Sequence, residues 1–567
     1  MPGGAWDREV DWLVAGAGPG GMTAALVAAM EGLDVLICEK SEQIGGTGAT
    51  SAGTLWIPAN SPSRDAGFDD SADDAGRYLD ALTGDGGDAR RDAFLADGPK
   101  VIDDLIARTD LRFVACGQHP DYRNNLPGAA VSGRAIIPEP FDGRLLGRDF
   151  RRVRPPIDEF LLFGGMMVGK ADIARLLGRY RSRANFAHSV GLMLRYLTDR
   201  VRFTRGTRLV MGNALVARLF YSLRKNGVPI RFGSALDDLV VEDGRVMGAV
   251  IKDSSGTIRI RARKGVVMAT GGLAHNEKYR KQFMPNPVPA RSMAVAENTG
   301  DGLAIGERIG ALVAPDRAGS GGLWTPVSVT ARKDGSTGLY PHIILDRAKP
   351  GLIAVNSAGR RFVNEGVSYH DFVEAMFRSN EVVPTIPAYL ICDAEFVVKY
   401  GVGAIYPGTR NFKSVERSGY AKCAASIEAL AKKLEVEPAA LADTVQRHNR
   451  FAAEGSDPDF GKGDTELNRF NGDAVHGPNP CLGPIATPPF VAVEVWPAEL
   501  GCSAGLATTA DAQVTDKNDT PIEGLYACGN DMGSIMAGTY PGPGTTLGPA
   551  MVFGYRAAMH AARTQAD

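Results

Sequence analysis

The chain has 567 residues, more than one hydrophobic core usually holds, and its length therefore predicts two domains. Hydrophobic residues make up 44% and charged residues 23%, with a formal net charge of -2, so no overall field attracts nucleic acid and none is expected as a partner. Scattered cysteines without a Cys-x-x-Cys pair, no signal-peptide pattern and no run of about 18 apolar residues favour a cytoplasmic protein without a membrane span.

The first elements predict a strand, a glycine-rich turn and a helix. Residues 11–15 are an apolar run typical of a buried strand. The sequence GAGPGG then opens a small-residue helical pattern that ends at Glu31, and 34–39 is a second strand pattern. This order of elements predicts the opening of a nucleotide-binding domain.

Three glycines in the turn have separate physical tasks. Gly16 permits the tight turn, Gly18 lets the backbone approach a pyrophosphate, and Gly21 lets the helix pack closely on the strand. The helix N-terminus adds amide donors for phosphate. Glu39, 18 residues after Gly21, is expected to accept hydrogen bonds from ribose hydroxyls. The motif predicts a dinucleotide site, and by itself it fits NAD as well as FAD.

A basic segment lies between 148 and 225, with 17 Lys or Arg and 5 Asp or Glu. It contains apolar pieces such as LLFGGMMV and VGLMLRYL. One interpretation is a helical excursion on the surface, whose long arginine side chains cover apolar area. The other is a surface that docks on anionic lipid, where an apolar substrate would be concentrated. The sequence is compatible with both.

The later elements return to a sheet. The sequence predicts a helix over 212–226, a tight turn at Asp243-Gly244 inside a hairpin, and a buried strand that ends in VVMATGG. A final strand over 524–529 precedes a glycine-rich loop and a helix over 548–562. Between Gly302 and that strand, an irregular stretch rich in proline and aromatic residues predicts a separate α+β domain.

Three motifs resemble the FAD-binding family that includes the fumarate reductase flavoproteins: Gly45-Gly46-Thr47, VVMATGG and GLYACGND. The resemblance implies an α/β fold, with a Rossmann-like FAD-binding domain of glutathione-reductase type and an inserted α+β substrate and catalytic domain. We expect the FAD-binding domain at 1–318 and 495–567, with the basic excursion at about 148–225, and the catalytic domain at 319–494. The residues expected to bind FAD are Gly16, Gly18, Gly20, Gly21, Glu39, Gly46, Thr47, Ser51, Ala269, Thr270, Gly271, Gly529, Asn530, Thr545, Thr546 and Leu547.

Two absences refine the cofactor prediction. Members of the family with covalent flavin have a histidine shortly after the Gly-Gly-Thr motif, whereas this chain continues GATSAGTLW. Noncovalent FAD is therefore expected. No second GxGxxG lies between a strand and a helix. No NAD(P)H domain is predicted, and electrons are expected to leave to an external acceptor.

Two longer motifs resemble the 3-ketosteroid Δ1-dehydrogenases: SAGRRFVNEGVSYHDF at 357–372 and AGTYPGPGTTLGPAMVFGY at 537–555. With TGATSAGTLWIPAN at 47–60, the resemblance runs over essentially the full length. It implies a small, apolar, steroid-like ketone as substrate and an FAD-dependent oxidation that introduces a carbon-carbon double bond beside the carbonyl.

The same resemblance implies roles for four residues. Tyr369 would remove the C2 proton, Tyr540 and the backbone N–H of Gly544 would polarise the C3 carbonyl, and hydride from C1 would pass to FAD. Tyr122, in HPDYRNNLPG, resembles a tyrosine that hydrogen-bonds the base and relays its proton. A phenol has an ordinary pKa of about 10, so a base tyrosine needs assistance from its neighbours. For each tyrosine the alternative is a buried ring whose hydroxyl satisfies a local carbonyl.

Several polar side chains and the reaction itself admit more than one interpretation. Arg361 and Glu365 could frame the fold near the flavin or serve in proton delivery, as an arginine does in fumarate reductases. His342 and His370 are assigned no catalytic role, and no histidine pair has metal-ligand spacing, so no metal is predicted. The enzyme could desaturate another ring position or another cyclic ketone, or act as an enone reductase. A flavin-fold protein that only binds a lipid or a partner is disfavoured by the complete phosphate turn.

Overall fold

The computed structural model describes residues 5–84, 88–332 and 334–564. The strands in chain order are β1 (Arg8–Ala15), β2 (Val35–Cys38), β3 (Leu55–Trp56), β4 (Phe113–Ala115), β5 (Ala135–Pro138), β6 (Phe141–Asp142), β7 (Leu161–Leu162), β8 (Met166–Met167), β9 (Arg208–Leu209), β10 (Ile230–Arg231), β11 (Ala235–Glu242), β12 (Arg245–Asp253), β13 (Gly256–Met268), β14 (Arg291–Ser292), β15 (Val313–Ala314), β16 (Gly322–Ala331), β17 (Thr337–Pro341), β18 (Leu352–Val355), β19 (Ala388–Cys392), β20 (Lys422–Ala424), β21 (Phe490–Cys502), β22 (Gly505–Leu506), β23 (Gln513–Thr515) and β24 (Pro521–Ala527).

The α-helices are α1 (Pro19–Met30), α2 (Gly46–Thr50), α3 (Ser61–Asp65), α4 (Ala72–Thr83), α5 (Ala89–Arg108), α6 (Lys170–Leu177), α7 (Arg183–Asp199), α8 (Met211–Lys225), α9 (Glu277–Phe283), α10 (Asp301–Arg308), α11 (Tyr369–Asn380), α12 (Ala394–Tyr400), α13 (Phe412–Arg417), α14 (Ile427–Leu434), α15 (Pro438–Glu454), α16 (Glu466–Asn471) and α17 (Leu547–Arg563). Short 3₁₀ helices cover Gly143–Arg152, Asp158–Phe160 and Gly529–Asp531. Within the described part of the chain, no helix combines the length and the apolar character that crossing a bilayer requires.

The first sheet carries the predicted nucleotide-binding turn. Strands β10, β2, β1 and β13 are parallel neighbours, antiparallel β12 and β11 extend the sheet, and β24 pairs with the end of β13. The predicted strand, helix and second strand are confirmed as β1, α1 and β2. Gly16 has a φ of 108°, and a Cβ there would lie 2.2 Å from the carbonyl oxygen of Ala269. Only glycine therefore lets β1 turn into α1 beside the end of β13.

The hairpin predicted around Asp243-Gly244 is part of a three-stranded meander, β11-β12-β13. Both turn residues have positive φ, 47° and 82°, as a two-residue hairpin turn of the primed type requires. The predicted last strand and helix are confirmed as β24 and α17. Helix α17 packs along α1, where a Cβ at Gly554 would lie 2.4 Å from the carbonyl oxygen of Gly20.

The second sheet is antiparallel along its main path, in the order β17-β16-β21-β19-β18, with β14 and β20 also paired to β21. Helix α11 packs on β16. The predicted boundary at 318/319 lies just before β16, and the one at 494/495 falls inside β21. Where the two domains divide stays a prediction.

The basic segment 148–225 is not one structural unit. Helices α6 and α7 pack on hairpin β7-β8 around a small core of Met166, Val168, Leu192 and Tyr196. Helix α8, by contrast, is buried along most of its length and belongs to the core of the first sheet. The name excursion is used below for residues 143–209 only.

Candidate active site

One cavity of about 750 Å³ is lined by residues from both sheets and from the excursion. One part of this cavity is lined by residues that the sequence predicts to bind the cofactor. Those that line it are Gly16, Gly18, Gly20, Gly21, Glu39, Gly46, Thr47, Ser51, Ala269, Thr270, Gly271, Gly529, Asn530, Thr546 and Leu547. Thr545 is buried beside them but does not line the cavity. Segments separated by hundreds of residues thus meet around one space, as a dinucleotide site needs.

A cradle of glycines fits a large cofactor. A Cβ placed at Gly18, Gly46 or Gly529 would meet no protein atom within 4 Å, although all three residues line the cavity. Side chains there would occupy the cavity itself. Gly18 is the N-cap of α1 and Pro19 takes the first helical position, so the helix begins at the cavity wall. The backbone amides and the dipole of α1 suit a pyrophosphate.

Glu39 is fixed at the end of β2 by the backbone. Its two carboxylate oxygens accept hydrogen bonds from the N–H of Ala17, at 2.7 Å, and of Ser41, at 2.8 Å. Burial raises the pKa of this carboxyl group, whereas the two hydrogen bonds lower it. The side chain is therefore held in one orientation at the cavity wall.

Asp531 and Asn298 support the cofactor end of the cavity, and neither was predicted. Asp531 is buried and accepts hydrogen bonds from the N–H groups of Thr270, at 2.5 Å, and Gly272, at 2.8 Å. The Asn298 amide nitrogen contacts the Thr47 hydroxyl at 3.2 Å and the Gly271 carbonyl at 3.0 Å. The Gly-Asn-Asp sequence at 529–531 was a usable signal for Asp531, because a buried acid beside glycine-rich backbone has N–H groups to satisfy.

Tyr122, Tyr369 and Tyr540 form a compact cluster at the other part of the cavity. The Tyr122 hydroxyl donates to the Tyr369 hydroxyl at 2.9 Å. Ring centroids are 5.3 Å apart for Tyr122 and Tyr369, 5.1 Å for Tyr369 and Tyr540, and 5.5 Å for Tyr122 and Tyr540. All three rings are buried and line the cavity. Neither Tyr122 nor Tyr369 donates to a local carbonyl in its described contacts, unlike the tyrosine of the alternative interpretation.

Burial sets the acid-base character of the cluster. It raises the pKa of the Tyr122 and Tyr369 phenols well above 10 and raises that of Tyr540 as well. The three hydroxyls are therefore neutral at neutral pH in the protein without substrate. Each can donate a hydrogen bond, and any of them must be assisted to act as a base.

The loop of Tyr122 is tied to the loop of Tyr540. The N–H of Tyr122 donates to the Pro541 carbonyl at 2.8 Å, and the Tyr78 hydroxyl donates to the same oxygen at 2.7 Å. Asp121 accepts from the indole N–H of Trp56 at 2.8 Å and from Arg134 at 2.7 Å. These buried contacts fix the separation of Tyr122 and Tyr540.

Tyr369 is the first residue of α11. The Ser368 hydroxyl caps the helix by accepting from the N–H of Asp371, at 3.0 Å. Helix α11 packs on β16 of the second sheet, so the position of Tyr369 is set by that sheet. Tyr122 lies between β4 and β5, and Tyr540 lies between β24 and α17. The cluster is therefore assembled from three segments that are far apart in the chain.

Gly544 lines the cavity with a φ of 95°. A Cβ at this position would lie 2.3 Å from the carbonyl oxygen of Thr54. Glycine is therefore required by the backbone of the neighbouring loop, in addition to the predicted approach of a ligand to its amide.

Apolar side chains continue the cavity beyond the tyrosines. Ile343 and Leu500 pack against the cluster and line the cavity. Further lining residues come from the excursion: Phe160, Leu162, Val168, Ile173 and Leu176. Glu159 joins the excursion to β16 by accepting from Thr330, at 2.9 Å, and Arg332, at 3.0 Å. The sequence did not predict this lining, because the contact between the two segments is long-range.

Arg361 and Glu365 lie in a buried ionic cluster with Asp457 and Lys462. Arg361 contacts Glu365 at 2.8 Å and Asp457 at 2.9 Å, and Lys462 lies 3.3 Å from Glu365. Burial opposes the charge, but the two cations hold the pKa of Glu365 at about 2. None of the four lines the cavity. Of the two interpretations of Arg361 and Glu365, the contacts favour framing of the fold.

His342 and His370 also lie outside the cavity lining. His342 contacts Asp346 at 2.6 Å and Ser328 at 2.8 Å in a buried chain of polar groups. Burial lowers the pKa of His370, which accepts a hydrogen bond from the N–H of Trp324. Within the described ranges, no group of three or more His, Cys, Asp or Glu residues could hold a metal ion.

The glycine cradle at a Rossmann-like turn and the second sheet that completes the cavity define a dinucleotide-binding protein of the flavoprotein class. A family model described as the FAD binding domain matches residues 11–547. The chain is 35% identical to a 3-oxosteroid 1-dehydrogenase of Mycolicibacterium smegmatis, over 99% of this chain and 98% of the relative. It is 37% identical to a 4-oxocyclohex-2-ene-1-carboxylate 5-dehydrogenase of Sinomonas cyclohexanicum, over 98% of this chain and 94% of the relative.

A solved structure supports the same grouping. The 3-ketosteroid delta1-dehydrogenase of Sterolibacterium denitrificans, in complex with 1,4-androstadiene-3,17-dione, matches with a TM-score of 0.90 and 35% identity, covering 98% of this chain and 100% of that chain. The chain belongs to the FAD binding domain family, and it is an FAD-dependent oxidoreductase of the 3-oxosteroid 1-dehydrogenase type. The predicted fold class and FAD cofactor are thereby confirmed.

Proposed function

We propose that the protein introduces a double bond between C1 and C2 of a 3-ketosteroid. The observation that carries the proposal is the cluster of Tyr122, Tyr369 and Tyr540 at the junction of a glycine-lined cofactor space and an apolar extension of the same cavity. The apolar extension suits a polycyclic ketone, because such a substrate offers little to hydrogen bonding except its carbonyl group. Relatives at 35% identity that carry this activity in their names support the same substrate class.

In the proposed reaction the three tyrosines have different roles in proton transfer and hydrogen bonding. Tyr540 and the backbone N–H of Gly544 donate to the C3 carbonyl oxygen and stabilise the negative charge that develops there. Tyr369, once ionised to its phenolate, takes up the proton at C2, and the Tyr122 hydroxyl donates to the same phenolate oxygen and assists that ionisation. Bound FAD supplies the acceptor for the hydride at C1. The apolar side chains that pack against the tyrosines limit the access of water while the proton is transferred.

We propose that FAD is held noncovalently by the sixteen residues predicted above, with Glu39 accepting from the ribose and the N-terminus of α1 facing the pyrophosphate. An external carrier is proposed to reoxidise it. The fifteen of these residues that line the cavity support this assignment, and Thr545 is proposed to act through the backbone of the neighbouring loop.

One relative favours a second candidate. The Sinomonas protein is named for a single-ring keto acid and is 37% identical to this chain. Desaturation of a smaller cyclic ketone would use the same tyrosines and leave the apolar extension unfilled. Reduction of an enone, or action at another ring position, would also use the same fold and is distinguished only by the product.

The product of one incubation tests the proposal. Purified protein, yellow with FAD that mild denaturation releases, is incubated with androst-4-ene-3,17-dione and an artificial electron acceptor. A 1,4-diene-3-one product is expected. Failure to turn over any 3-ketosteroid, with turnover of single-ring cyclohexanones, would establish the second candidate instead.

We further propose that the excursion docks on an anionic membrane surface. Phe186, Val190, Leu194 and Leu197 recur at intervals of four, four and three residues along α7 and are exposed, and Val201 follows with 82% exposure. Exposed arginines flank this stripe on both sides along the chain: Arg179, Arg181, Arg183, Arg200 and Arg202. An apolar stripe between cationic residues complements an anionic bilayer surface. Because the inner side of the excursion lines the cavity, the contact would bring an apolar ketone close to the site.

A further inference from the structure

The proposed base is in an unfavourable setting. Tyr369 is buried and contacts two other phenols, Tyr122 and Tyr540. Its ionised form is therefore poorly solvated, and within the described part of the chain no cation is among its direct contacts. A buried anion of this kind needs a compensating charge or several hydrogen bonds. A basic side chain close to the cluster would supply that charge.

Arg347 is buried near the tyrosine cluster and does not line the cavity. Its guanidinium donates only to backbone carbonyls: to His342 at 2.8 Å, Glu365 at 2.9 Å, Val367 at 3.2 Å and Ile343 at 3.4 Å. Val367 is two residues before Tyr369, and Ile343 packs against the hydrophobic cluster that contains the three tyrosines. The guanidinium also lies 4.9 Å from the ring centroid of Phe372, one turn along α11 from Tyr369. These contacts fix both the cation and the start of α11.

Among the described residues, no carboxylate forms an ion pair with Arg347 within 4 Å. Asp346 and Glu365 act on its charge from a longer distance, and each has a direct partner of its own. Asp346 contacts His342 at 2.6 Å, and Glu365 contacts Arg361 at 2.8 Å. Burial lowers the pKa of Arg347 to about 10, the sign of a cation that a nearby anion would stabilise. Tyr122 and Tyr369 are both within electrostatic reach of it.

The other charged groups around Tyr369 are paired or distant from it. Arg123 contacts Asp371 at 2.7 Å, and Arg134 contacts Asp121 at 2.7 Å. The remaining titratable groups on the neighbouring elements are Tyr78, His119, Tyr122, His370, Glu374 and Tyr540. Of these, Glu374 accepts from Ser320 at 2.9 Å, and burial lowers the pKa of His370. Arg347 is the cation in this set whose direct hydrogen-bond partners, within the ranges that the structure describes, are all backbone carbonyls.

We infer that Arg347 is a positioning residue for the proposed base: its cation, held by four backbone carbonyls near the cluster, stabilises the phenolate of Tyr369, which is the form that takes up the C2 proton. The inference rests on the proposed function. It supplies the assistance that a base tyrosine requires, with Tyr122 donating to the same phenolate oxygen. An uncharged residue at 347 would still permit the arrangement of the three neutral tyrosines. It would make the ionisation of Tyr369 less favourable.

The test follows ionisation and rate separately in Arg347→Gln and Arg347→Lys, each with FAD bound. Ultraviolet difference titration against Tyr369→Phe reports the phenolate directly and needs no substrate. Anaerobic flavin reduction by androst-4-ene-3,17-dione over a range of pH reports the step that uses the base. Arg218→Gln is the matched control, because Arg218 is also buried and also donates to three backbone carbonyls, at Asp110, Glu139 and Pro140, outside the cavity.

In Arg347→Gln we expect the phenolate step and the rising limb of the rate profile to move together to higher pH. A shift of about one unit lowers the rate at a fixed pH below the limb roughly tenfold. Arg347→Lys should lie nearer the wild type, and Arg218→Gln should leave both profiles in place. Incorporation of 3-fluorotyrosine at 369, which ionises at lower pH, should restore part of the rate in Arg347→Lys or Arg347→Gln.

An Arg347→Gln protein that is slower at every pH, with an unmoved phenolate step and no recovery from fluorotyrosine, would overturn the inference. If Arg347→Gln does not fold, Arg347→Lys with and without fluorotyrosine decides, since a purely structural defect is not repaired by a more acidic phenol. Absence of ketosteroid turnover in the wild type would contradict the proposed function and leave the phenolate titration as an independent measure of Arg347.

Discussion

Tyr369 and Tyr540 line one cavity, but Tyr369 is proposed to accept a proton and Tyr540 to donate a hydrogen bond. Phenylalanine at 369 removes the proposed base, an effect that typically costs about 10²–10⁴-fold in rate. Phenylalanine at 540 removes one of two donors to the carbonyl, which typically costs about 10²–10³-fold. Both variants should keep FAD, because the residues of the glycine cradle are unchanged.

Anaerobic flavin reduction and the FAD content of the purified protein measure the two expectations. Tyr526→Phe is the control, since the Tyr526 hydroxyl contacts His560 at 2.9 Å and does not line the cavity. It should reduce its flavin at the wild-type rate. Undiminished activity in Tyr369→Phe would show that another group is the base.

Gly544 carries a second expectation at this scale. Alanine would combine a φ of 95° with a Cβ 2.3 Å from the Thr54 carbonyl oxygen, so the loop that contains the proposed oxyanion donor must move. We expect a loss of stability of about 1–3 kcal/mol and a larger loss in kcat than in FAD affinity. Denaturant unfolding and steady-state kinetics measure both.

Gly408→Ala separates strain from collision. Gly408 has a φ of 87°, but a Cβ at this position would have no atom within 4 Å, so alanine there meets only the unfavourable φ. If Gly544→Ala behaves no worse than Gly408→Ala, the close approach to Thr54 does not matter for catalysis.

The residues that the sequence could and could not predict differ in the range of their contacts. Gly16 and Gly21 were predictable because the turn they form is local, and a Cβ at Gly21 would lie 2.2 Å from the carbonyl oxygen of Gly16. The tyrosine cluster joins positions 122, 369 and 540, and only a family resemblance brought them together. Arg347 was not predicted, because an arginine that binds carbonyls has no local sequence signal.

At the scale of elements, strong local patterns were reliable. The strand-turn-helix opening, helix α8 and the closing pair β24 and α17 were confirmed to within a few residues. The predicted hairpin corresponds to β11 and β12, the first two strands of the meander β11-β12-β13. The third strand, β13, starts immediately after a second tight turn. For the basic segment 148–225, a helical surface excursion was one of two interpretations that the sequence left open. The inner lining of the cavity by the excursion could not be predicted, because it depends on contacts with β16 and β17, far along the chain.

Helix α7 is the element on which the proposed membrane contact depends. Leu194→Glu combined with Leu197→Glu places two carboxylates on the exposed apolar stripe and should abolish binding to vesicles of phosphatidylcholine and phosphatidylglycerol. The wild type should co-sediment with these vesicles, more weakly as salt rises, because its arginines are screened. Vesicle sedimentation measures both effects.

Val382→Glu is the control for α7, since Val382 is also highly exposed but lies outside the excursion. It should bind vesicles like the wild type. Wild-type protein that stays in solution with anionic vesicles at low salt would contradict the membrane proposal, and it would leave the proposed reaction untouched.

At the scale of the whole molecule, the cavity joins the two sheets. Cofactor residues come from β1, β2, β13 and the loop after β24, while Tyr369 and Ile343 come from the second sheet and its helices. A ligand in this space contacts walls that the unfolded chain cannot assemble. Binding to the folded state alone stabilises it, by about 4 kcal/mol when the ligand is at roughly a thousand times its Kd.

Gly18→Val tests this coupling between cofactor and fold. The position has ordinary negative φ and no atom within 4 Å of a Cβ, so the protein itself tolerates a side chain, but the side chain enters the cavity at the N-terminus of α1. We expect the variant to fold, to lose FAD and to melt at the temperature of wild-type apoprotein. Added FAD should raise the melting temperature of the wild-type apoprotein and leave that of Gly18→Val unchanged.

Gly191→Val is the control. A Cβ at this position also meets no atom within 4 Å, but Gly191 lies on the exposed side of α7, so this variant should respond to FAD like the wild type. A Gly18→Val protein that is yellow and stabilised by FAD would place the pyrophosphate elsewhere in the cavity.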